Sequence, residues 1–399
     1  MEPQKRRIHM PWRVESMKSQ KQKFILLYET GHFTKTELCK EFGISRPTGD
    51  AIIKRYHEEG WNALEERSRQ HKDHPFKTPE RIENEIIRIR TRYKNWGARK
   101  IRYLLLKEYD EEEIPSETTV NGIMKKNGLT KKRRTGRRQI TPQYPRFDPK
   151  EPNEIWSGDF KGKFRMKNGV YCYPLTVVDS YSRYILGIEG VERADTENSK
   201  PILEKIFREY GVPEYFHTDN GAPFGNAGSL RRLTMLAVWE IEVGTTPVYS
   251  DPASPQQNGR HERMHRDLKA EATRPPGNDL RSQQYLFNQF VEDYNTIRPH
   301  EALGMKTPAE VHKRSVRQYP GIIRDWYYDK DLDVRMVTVN GAFRWKDKGF
   351  VMVSTALAGK YVGLDDLGNG FMILYFRHVP LGYFCERMMK VYDLEDYNF

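Results

Sequence analysis

A chain of 399 residues with a net charge of +12 and 37% hydrophobic residues is too long for one ordinary domain and apolar enough for several cores. Its three cysteines, Cys39, Cys172 and Cys385, form no CxxC pair, which excludes a disulfide framework and a cysteine-rich zinc site and fits a reducing compartment. No apolar run approaches the ~18–20 residues of a membrane span, and the start of the chain lacks the apolar core of a secretory signal. A cytoplasmic protein with no membrane partner is expected.

In chain order, residues 16–60 predict a helix-turn-helix domain. Phe24, Leu27 and Tyr28 recur at helical spacing; Thr34 or Thr36 is placed to cap a second helix; Gly43 supplies a left-handed turn. Ser45-Arg46-Pro47 then starts a third helix with its cap and early proline. That helix turns Gly49, Ile52, Ile53 and Tyr56 to one side and Arg46, Thr48, Asp50 and Lys54 to the other. A polar-fronted helix after a tight glycine turn suits a major groove, so Arg46, Thr48 and Lys54 are candidate DNA contacts. A plain three-helix bundle with a solvated face is the bland alternative.

Residues 76–130 predict a second helical, helix-turn-helix-like DNA-binding domain. Helices start at Thr78-Pro79-Glu80, after Trp96-Gly97, and at Ser116, the last ending near Gly128. Residues 131–152 read as an extended basic linker. Between positions 121 and 150 there are ten Lys/Arg against the single acid Asp148. Such a block in an otherwise near-balanced chain points to a polyanion. Lys131, Lys132, Arg133, Arg134, Arg137 and Arg138 are therefore expected along a phosphate backbone.

Residues 153–318 predict an α/β domain. An alternating strand contains Asp159; antiparallel strands follow at Phe164, 171–178 and 184–188. A helix at 197–210, a strand to His217, a helix at 229–237, a strand at 240–243 and a helix containing Glu262 come next. Strands followed by alternating helices and strands make a sheet covered by helices. From 326 to 399, short apolar runs separated by Asn340-Gly341 and Gly368-Asn369-Gly370 predict a small all-β, SH3-like barrel. The fold class is thus multidomain: all-α, α/β, then all-β.

Three carboxylates stand in three kinds of local structure: Asp159 in a strand, Asp219 just past a strand, and Glu262 just inside a helix. Elements arranged so can aim them at one point. Hard divalent ions prefer oxygen ligands, and a two-metal phosphoryl-transfer site needs such a set. On this reading Asp159 bridges both metals while Asp219 and Glu262 each hold one. At about 100° per residue, Asn258, Arg266 and Lys269 share the Glu262 face, placing an amide and two cations beside a phosphodiester. A simple Glu262–Arg266 surface ion pair is the alternative. Asp179 reads as structural; His217 and His261 adjoin the acids and read either as packed or surface residues or as contacts to DNA or a metal-bound water.

Trp156…Asp159, Val178-Asp179-Ser180-Tyr181-Ser182-Arg183, His217-Thr218-Asp219-Asn220-Gly221, Asn258-Gly259…Glu262-Arg263 and Tyr294-Asn295…Arg298-Pro299-His300 together resemble the integrase core of bacterial insertion-sequence transposases, similar to retroviral integrases. The resemblance implies an RNase H-like core with Asp159, Asp219 and Glu262 as a DDE triad. It implies two Mg²⁺ or Mn²⁺ ions per site, cleavage at the ends of a mobile element, and attack of the freed 3′-hydroxyl on target DNA. It also implies that Arg266 and Lys269 touch the element's end, and that a homo-oligomer, a dimer or larger, holds two ends on double-stranded DNA. The expected setting is bacterial, at the nucleoid when bound. The Asp219-to-Glu262 interval is longer than usual in that family, the surplus falling at 225–232 or 243–252. Two other readings remain at this stage: a catalytically silent DNA-binding regulator, and a nuclease without strand transfer.

Overall fold

The computed structural model describes residues 17–65, 77–130, 147–251 and 255–394. The six linker contacts expected from Lys131, Lys132, Arg133, Arg134, Arg137 and Arg138 lie outside the described residues. The chain divides between Lys77 and Thr78 into two compact units.

In the first unit α1 (Met17–Glu29), α2 (Lys35–Glu41) and α3 (Arg46–Glu59) form the three expected helices. Thr34 caps α2 in a reciprocal box with Glu37, and Ser45 caps α3 with proline in its first turn. Gly43 takes φ +63°. Phe24, Ile25, Leu38 and Ile53 are buried, while Arg46, Thr48, Asp50 and Lys54 all face solvent. A Cβ at Gly49 would stand 2.5 Å from the Cys39 sulfur, so α3 seats against α2 only because glycine is there. One feature was not anticipated. The 3₁₀ turn Gly60–Leu64 returns Leu64 to the core, tied by the Arg55 guanidinium donating to the Ala63 carbonyl at 2.5 Å.

The second unit begins with α4 (Glu80–Arg92), α5 (Ala98–Glu108) and α6 (Glu117–Lys126), the last capped by Ser116. Ile82, Ile86, Trp96, Ile101 and Val120 fill their core. Arg92 to Asp293 at 3.2 Å and Arg99 to Glu301 at 3.6 Å tie these helices to the α/β region.

That region contains β1 (Ile155–Phe160), β2 (Phe164–Arg165), β3 (Tyr171–Asp179), β4 (Ile185–Val191), α7 (Thr196–Tyr210), β5 (Tyr215–Thr218), α8 (Met235–Glu242), β6 (Thr246–Tyr249), α9 (Gly259–Glu271) and α10 (Leu280–Glu292). β1 pairs antiparallel with β3 and parallel with β5; β3 pairs antiparallel with β4 and β2, and β5 pairs parallel with β6. Trp156, Leu203, Phe207, Phe216 and Trp239 pack one face of the sheet, beneath α7 and α8. Val178, Ile185, Met264, Leu268 and Phe287 pack the other, beneath α9 and α10. This mixed sheet between two helical layers is the RNase H-like arrangement.

The strand expected at 240–243 is instead the C-terminal half of α8, and the helix expected at 229–237 starts later, where Thr234 caps it. Leu236, Ala237, Val238, Trp239, Glu240 and Ile241 are all buried, so the helix is covered on nearly every side and its period vanishes.

The reason for that burial lies in the C-terminal region. There β7 (Asp333–Met336), β8 (Ala342–Trp345), β9 (Gly349–Met352), β10 (Tyr361–Gly368), β11 (Phe371–Phe376), β12 (Val379–Cys385) and β13 (Lys390–Asp393) form an antiparallel sheet in the order β13-β12-β11-β10-β7 plus the β8–β9 hairpin. Their core of Phe343, Trp345, Leu374 and Phe384 continues into Leu233, Ala237, Val238 and Ile241. Lys360 pairs with Glu242 at 2.5 Å, and the loop 225–232 joins in through the Arg231 amide, which donates to Asp393 at 2.9 Å. The all-β region is therefore fastened to the α/β region through α8. Among the described residues no helix is long and apolar enough to cross a membrane.

Candidate active site

Asp159 lies in β1, opposite Thr176 of β3. Two residues earlier, Ser157 pairs with His217 of the parallel strand β5, so Asp159 and Asp219 emerge at the same carboxyl end of adjacent parallel strands. In open α/β sheets that is where ligands bind. Gly158 between them is needed on the other face, where an added Cβ would come within 2.4 Å of the Phe216 ring.

Glu262 occupies the first turn of α9. Its carboxylate is exposed, as are Arg266 and Lys269. Among the described residues Glu262 forms no ion pair with Arg266, so the surface-pair alternative is not realised. The three acids share one electrostatic field. Burial first, then the Asp219 charge, and further the Glu262 charge, push the Asp159 carboxyl up to about 7. Burial also raises Asp219, against the hydrogen bond its carboxylate accepts from the Gly221 amide at 3.1 Å. Crowded carboxylates of this kind invite a hard cation. Among the described residues, however, no three His, Cys, Asp or Glu side chains stand close enough to hold a metal ion. The register brings the two aspartates to adjacent strand ends, and Glu262 reaches Asp159 through its charge without closing a ligand set.

Under Asp159 lies a buried polar hub. Thr176 donates its hydroxyl proton to the Asp159 carbonyl at 2.9 Å, so it must accept from both rings that touch it: His261 Nε2 at 2.6 Å and His265 Nε2 at 2.7 Å. The network thereby assigns both tautomers. His261 Nδ1 accepts from Ser157 at 2.8 Å, and the His265 Nδ1 lone pair faces the Asp159 carboxylate at 3.5 Å. Burial keeps both rings neutral. His265 is pushed down to about 3, with Lys161 adding to the effect, and His261 falls well below its usual value with His265 contributing. Sequence reasoning did not single out Thr176 or His265. The available signals were a lone polar residue inside the apolar run of β3 and a histidine one turn after Glu262 on its sheet-facing side.

The flank of α9 is held by the motif 298–300. Arg298 donates to Asp267 at 2.5 Å, lies 3.9 Å from Glu271 and stacks on Tyr294 at 5.1 Å. Asn295 brackets Ile185 of β4, accepting from its amide and donating to its carbonyl, each at 2.9 Å. Asp179 is fully buried and accepts from the amides of Asn153, Tyr181 and Ser182; it builds the turn. His217 is buried against Ser250 at 2.9 Å. Asn258 is the residue before α9 and makes no side-chain cap.

Fold and site together describe an RNase H-like domain with acidic strand ends. The sequence agrees: residues 149–255 and 243–308 match two family models each described as an integrase core domain. Residues 20–72 match a helix-turn-helix domain and 48–124 a homeodomain-like domain. Residues 149–308 thus match integrase core domains, with matches to helix-turn-helix and homeodomain-like domains ahead of them. Among curated proteins it is 25% identical over 200 residues to the Gag-Pol polyprotein of feline leukemia virus, covering 49% of this chain and 11% of that one. The chain thus spans about a tenth of that polyprotein's length. It is 25% identical over 241 residues to the insertion element IS407 uncharacterized 31.7 kDa protein of Burkholderia multivorans, covering 57% of this chain and 81% of that one. Among solved structures, the HTLV-2 integrase catalytic core domain in complex with magnesium aligns at 16% identity and a TM-score of 0.33, over 42% of this chain and all of that one.

Proposed function

We propose that the chain is a DDE transposase that binds the terminal inverted repeats of a mobile DNA element, cleaves at its ends and joins the freed 3′-hydroxyl to target DNA. The observation that carries the reading is the parallel register of β1 and β5, which sets Asp159 and Asp219 side by side at one carboxyl end, where the Asp219 charge adds to burial in raising the Asp159 carboxyl. Asp159, Asp219 and Glu262 would hold two Mg²⁺ or Mn²⁺ ions. Bound ions supply activation of the attacking oxygen and stabilisation of the leaving one.

The chain's own residues do the rest. β1 and β5 present two acids in fixed register, and the Thr176 hub ties the Asp159 main chain to the two histidines of α9. α9 brings Glu262 with Asn258, Arg266 and Lys269 on the same stripe, suited to the element's end. Arg46, Thr48 and Lys54 of α3 would enter a major groove, and the basic linker would follow the phosphates. Because two ends must be joined, a dimer or larger assembly forms on DNA, in the bacterial cytoplasm at the nucleoid.

The test is a strand-transfer assay with Mg²⁺ and duplexes taken from the inverted repeats that flank the coding region. Joined product supports the proposal. Cleavage without joining indicates a nuclease, and a bound but unreacted duplex indicates a regulator.

A further inference from the structure

On the flank of α9 beside the Glu262 stripe, two adjoining cavities of about 570 and 360 Å³ share Arg183, Arg260 and Ala302 in their walls. Together they form a groove between α5, the β3–β4 turn, α9 and the loop after α10. Six cations line it: Lys100, Arg183, Arg260, Arg263, Arg298 and Lys306. Three carboxylates, Asp148, Asp267 and Glu301, also line it, and each is already engaged. Asp148 pairs with Arg260 at 2.7 Å, Asp267 with Arg298 at 2.5 Å, and Glu301 with Arg99 at 3.6 Å. Among the described residues no carboxylate comes within ion-pair distance of Lys100, Arg183, Arg263 or Lys306. The linker sequence 131–146 contains no acid either.

The crowding is physical. Burial and then the Arg298 charge push the Lys100 ammonium down to about 8. Burial and then Arg260 push Arg183 down to about 10. Burial, followed by Arg298, Lys100, Arg183 and Arg263, pushes His300 down to about 2. Among the described residues Lys100 and Arg183 are desolvated without a carboxylate partner, Arg183 donating only to the Ser180 carbonyl at 2.7 Å, which is costly. With the exposed Arg263 and Lys306 beside them, the arrangement is satisfied by an anion with several oxygens. Its place on the helix matters. At about 100° per residue, Arg260 and Arg263 lie about 160° and 100° round the helix from Glu262, on a flank that adjoins the Arg266 edge of that stripe.

We propose that this groove is a second phosphodiester site, in which Lys100, Arg183, Arg263 and Lys306 hold backbone oxygens of duplex DNA on the flank of α9 beside the Glu262 stripe. The inference rests on the reading of the chain as a DNA-processing enzyme. It extends the DNA-facing surface of α9 beyond the Glu262 stripe, and it gives the second helical region a role beyond reading bases, since Lys100 belongs to α5.

The test is binding of the full-length chain to a short fluorescent duplex, followed by anisotropy from about 50 to 200 mM salt. Arg263→Gln with Lys306→Gln removes two exposed cations, so the fold is spared; Lys100→Gln is added as a separate variant, checked by melting. The double variant should bind roughly tenfold more weakly at physiological salt and lose about 1.8 from the log–log salt slope, the share of two phosphate contacts. Unchanged affinity and slope, with wild-type binding intact, overturn the groove and leave the transposase reading standing. Failure of the wild type to bind any duplex sinks that reading itself. Inorganic pyrophosphate is the control for a small-anion pocket: if it stabilises the wild type but not the double variant while duplex affinity is equal in both, the groove serves a small anion and the proposal is wrong.

Discussion

Two of the three acids and the third reach the same region by different means. Asp159 and Asp219 are set by main-chain register, one within β1 and the other a residue past β5, and strands paired in parallel leave them no latitude. Glu262 is set by side chains: His261, Met264, His265 and Leu268 seat α9 on the sheet, and Arg298 grips it through Asp267. Backbone ladders make the pair a fixed floor. The glutamate is an arm whose position depends on a few buried polar contacts, and this accounts for two acids standing at adjacent strand ends while the third completes no ligand set with them.

The largest effect tests what the floor and arm have in common. Asp159→Asn, Asp219→Asn and Glu262→Gln should each lower strand joining by about a thousandfold or more, with affinity for the end duplex nearly unchanged. If all three lose DNA binding instead, the acids are structural and floor and arm are not parts of one site. Next comes a change that touches only the arm. Arg298→Gln leaves Asp267 buried without its cation, which should cost about 3–5 kcal/mol of stability, read by denaturant melting. A loss below about 1 kcal/mol would mean that α9 is held by packing alone.

How much of this was readable beforehand follows the same division. Helix caps at Thr34, Ser45 and Ser116 and the turn at Gly43 are local chemistry, and the structure has them where the sequence suggests. The alternation through Asp159 likewise announces a half-buried strand. α8 was misread because its burial comes from two sides, one of them a β region more than ninety residues later in the chain, and no local period survives that. β12 and β13 escaped notice because Pro380 and Gly382 interrupt the first and the second is half polar. The Arg298-Pro299-His300 motif was visible, but its grip on Asp267 is long-range and needed coordinates. Thr176 and His265 belong to the same class: each looks like a core residue until its neighbours are known.

A smaller effect separates the hub from the floor above it. Thr176→Val keeps the shape of the side chain but removes the hydroxyl shared by two buried rings and the Asp159 carbonyl. Leaving those ring donors unsatisfied should cost about 1–3 kcal/mol and slow joining without weakening end binding. Thr176→Ser, which restores the hydroxyl, should recover most of the rate. Equal rates for the valine and serine variants would show that the hub fills space and does not orient Asp159.

The smallest effect is a pH dependence that belongs to the floor alone. The Asp159 carboxyl is held at about 7 in the fold, against an ordinary value of 3.8. A group raised in this way binds its proton more tightly when folded than unfolded, so its contribution is present at low pH and fades as pH climbs from about 4 through 7. Side-chain exposure of 27% and solvent screening reduce the size, and a shift of about 1–3 °C in melting temperature is expected. Measured without divalent ions, the wild type should lose that much more than Asp159→Asn between pH 5 and pH 8. Glu262→Gln should follow the wild type closely, because Glu262 is a minor contributor to the Asp159 shift and Asp219 the larger charge. At pH 8, adding Mg²⁺ should return the lost stability to the wild type and not to Asp159→Asn. Parallel curves for wild type and Asp159→Asn would mean that the aspartates do not repel one another strongly enough to store any strain, and the contrast between floor and arm would then rest on geometry only.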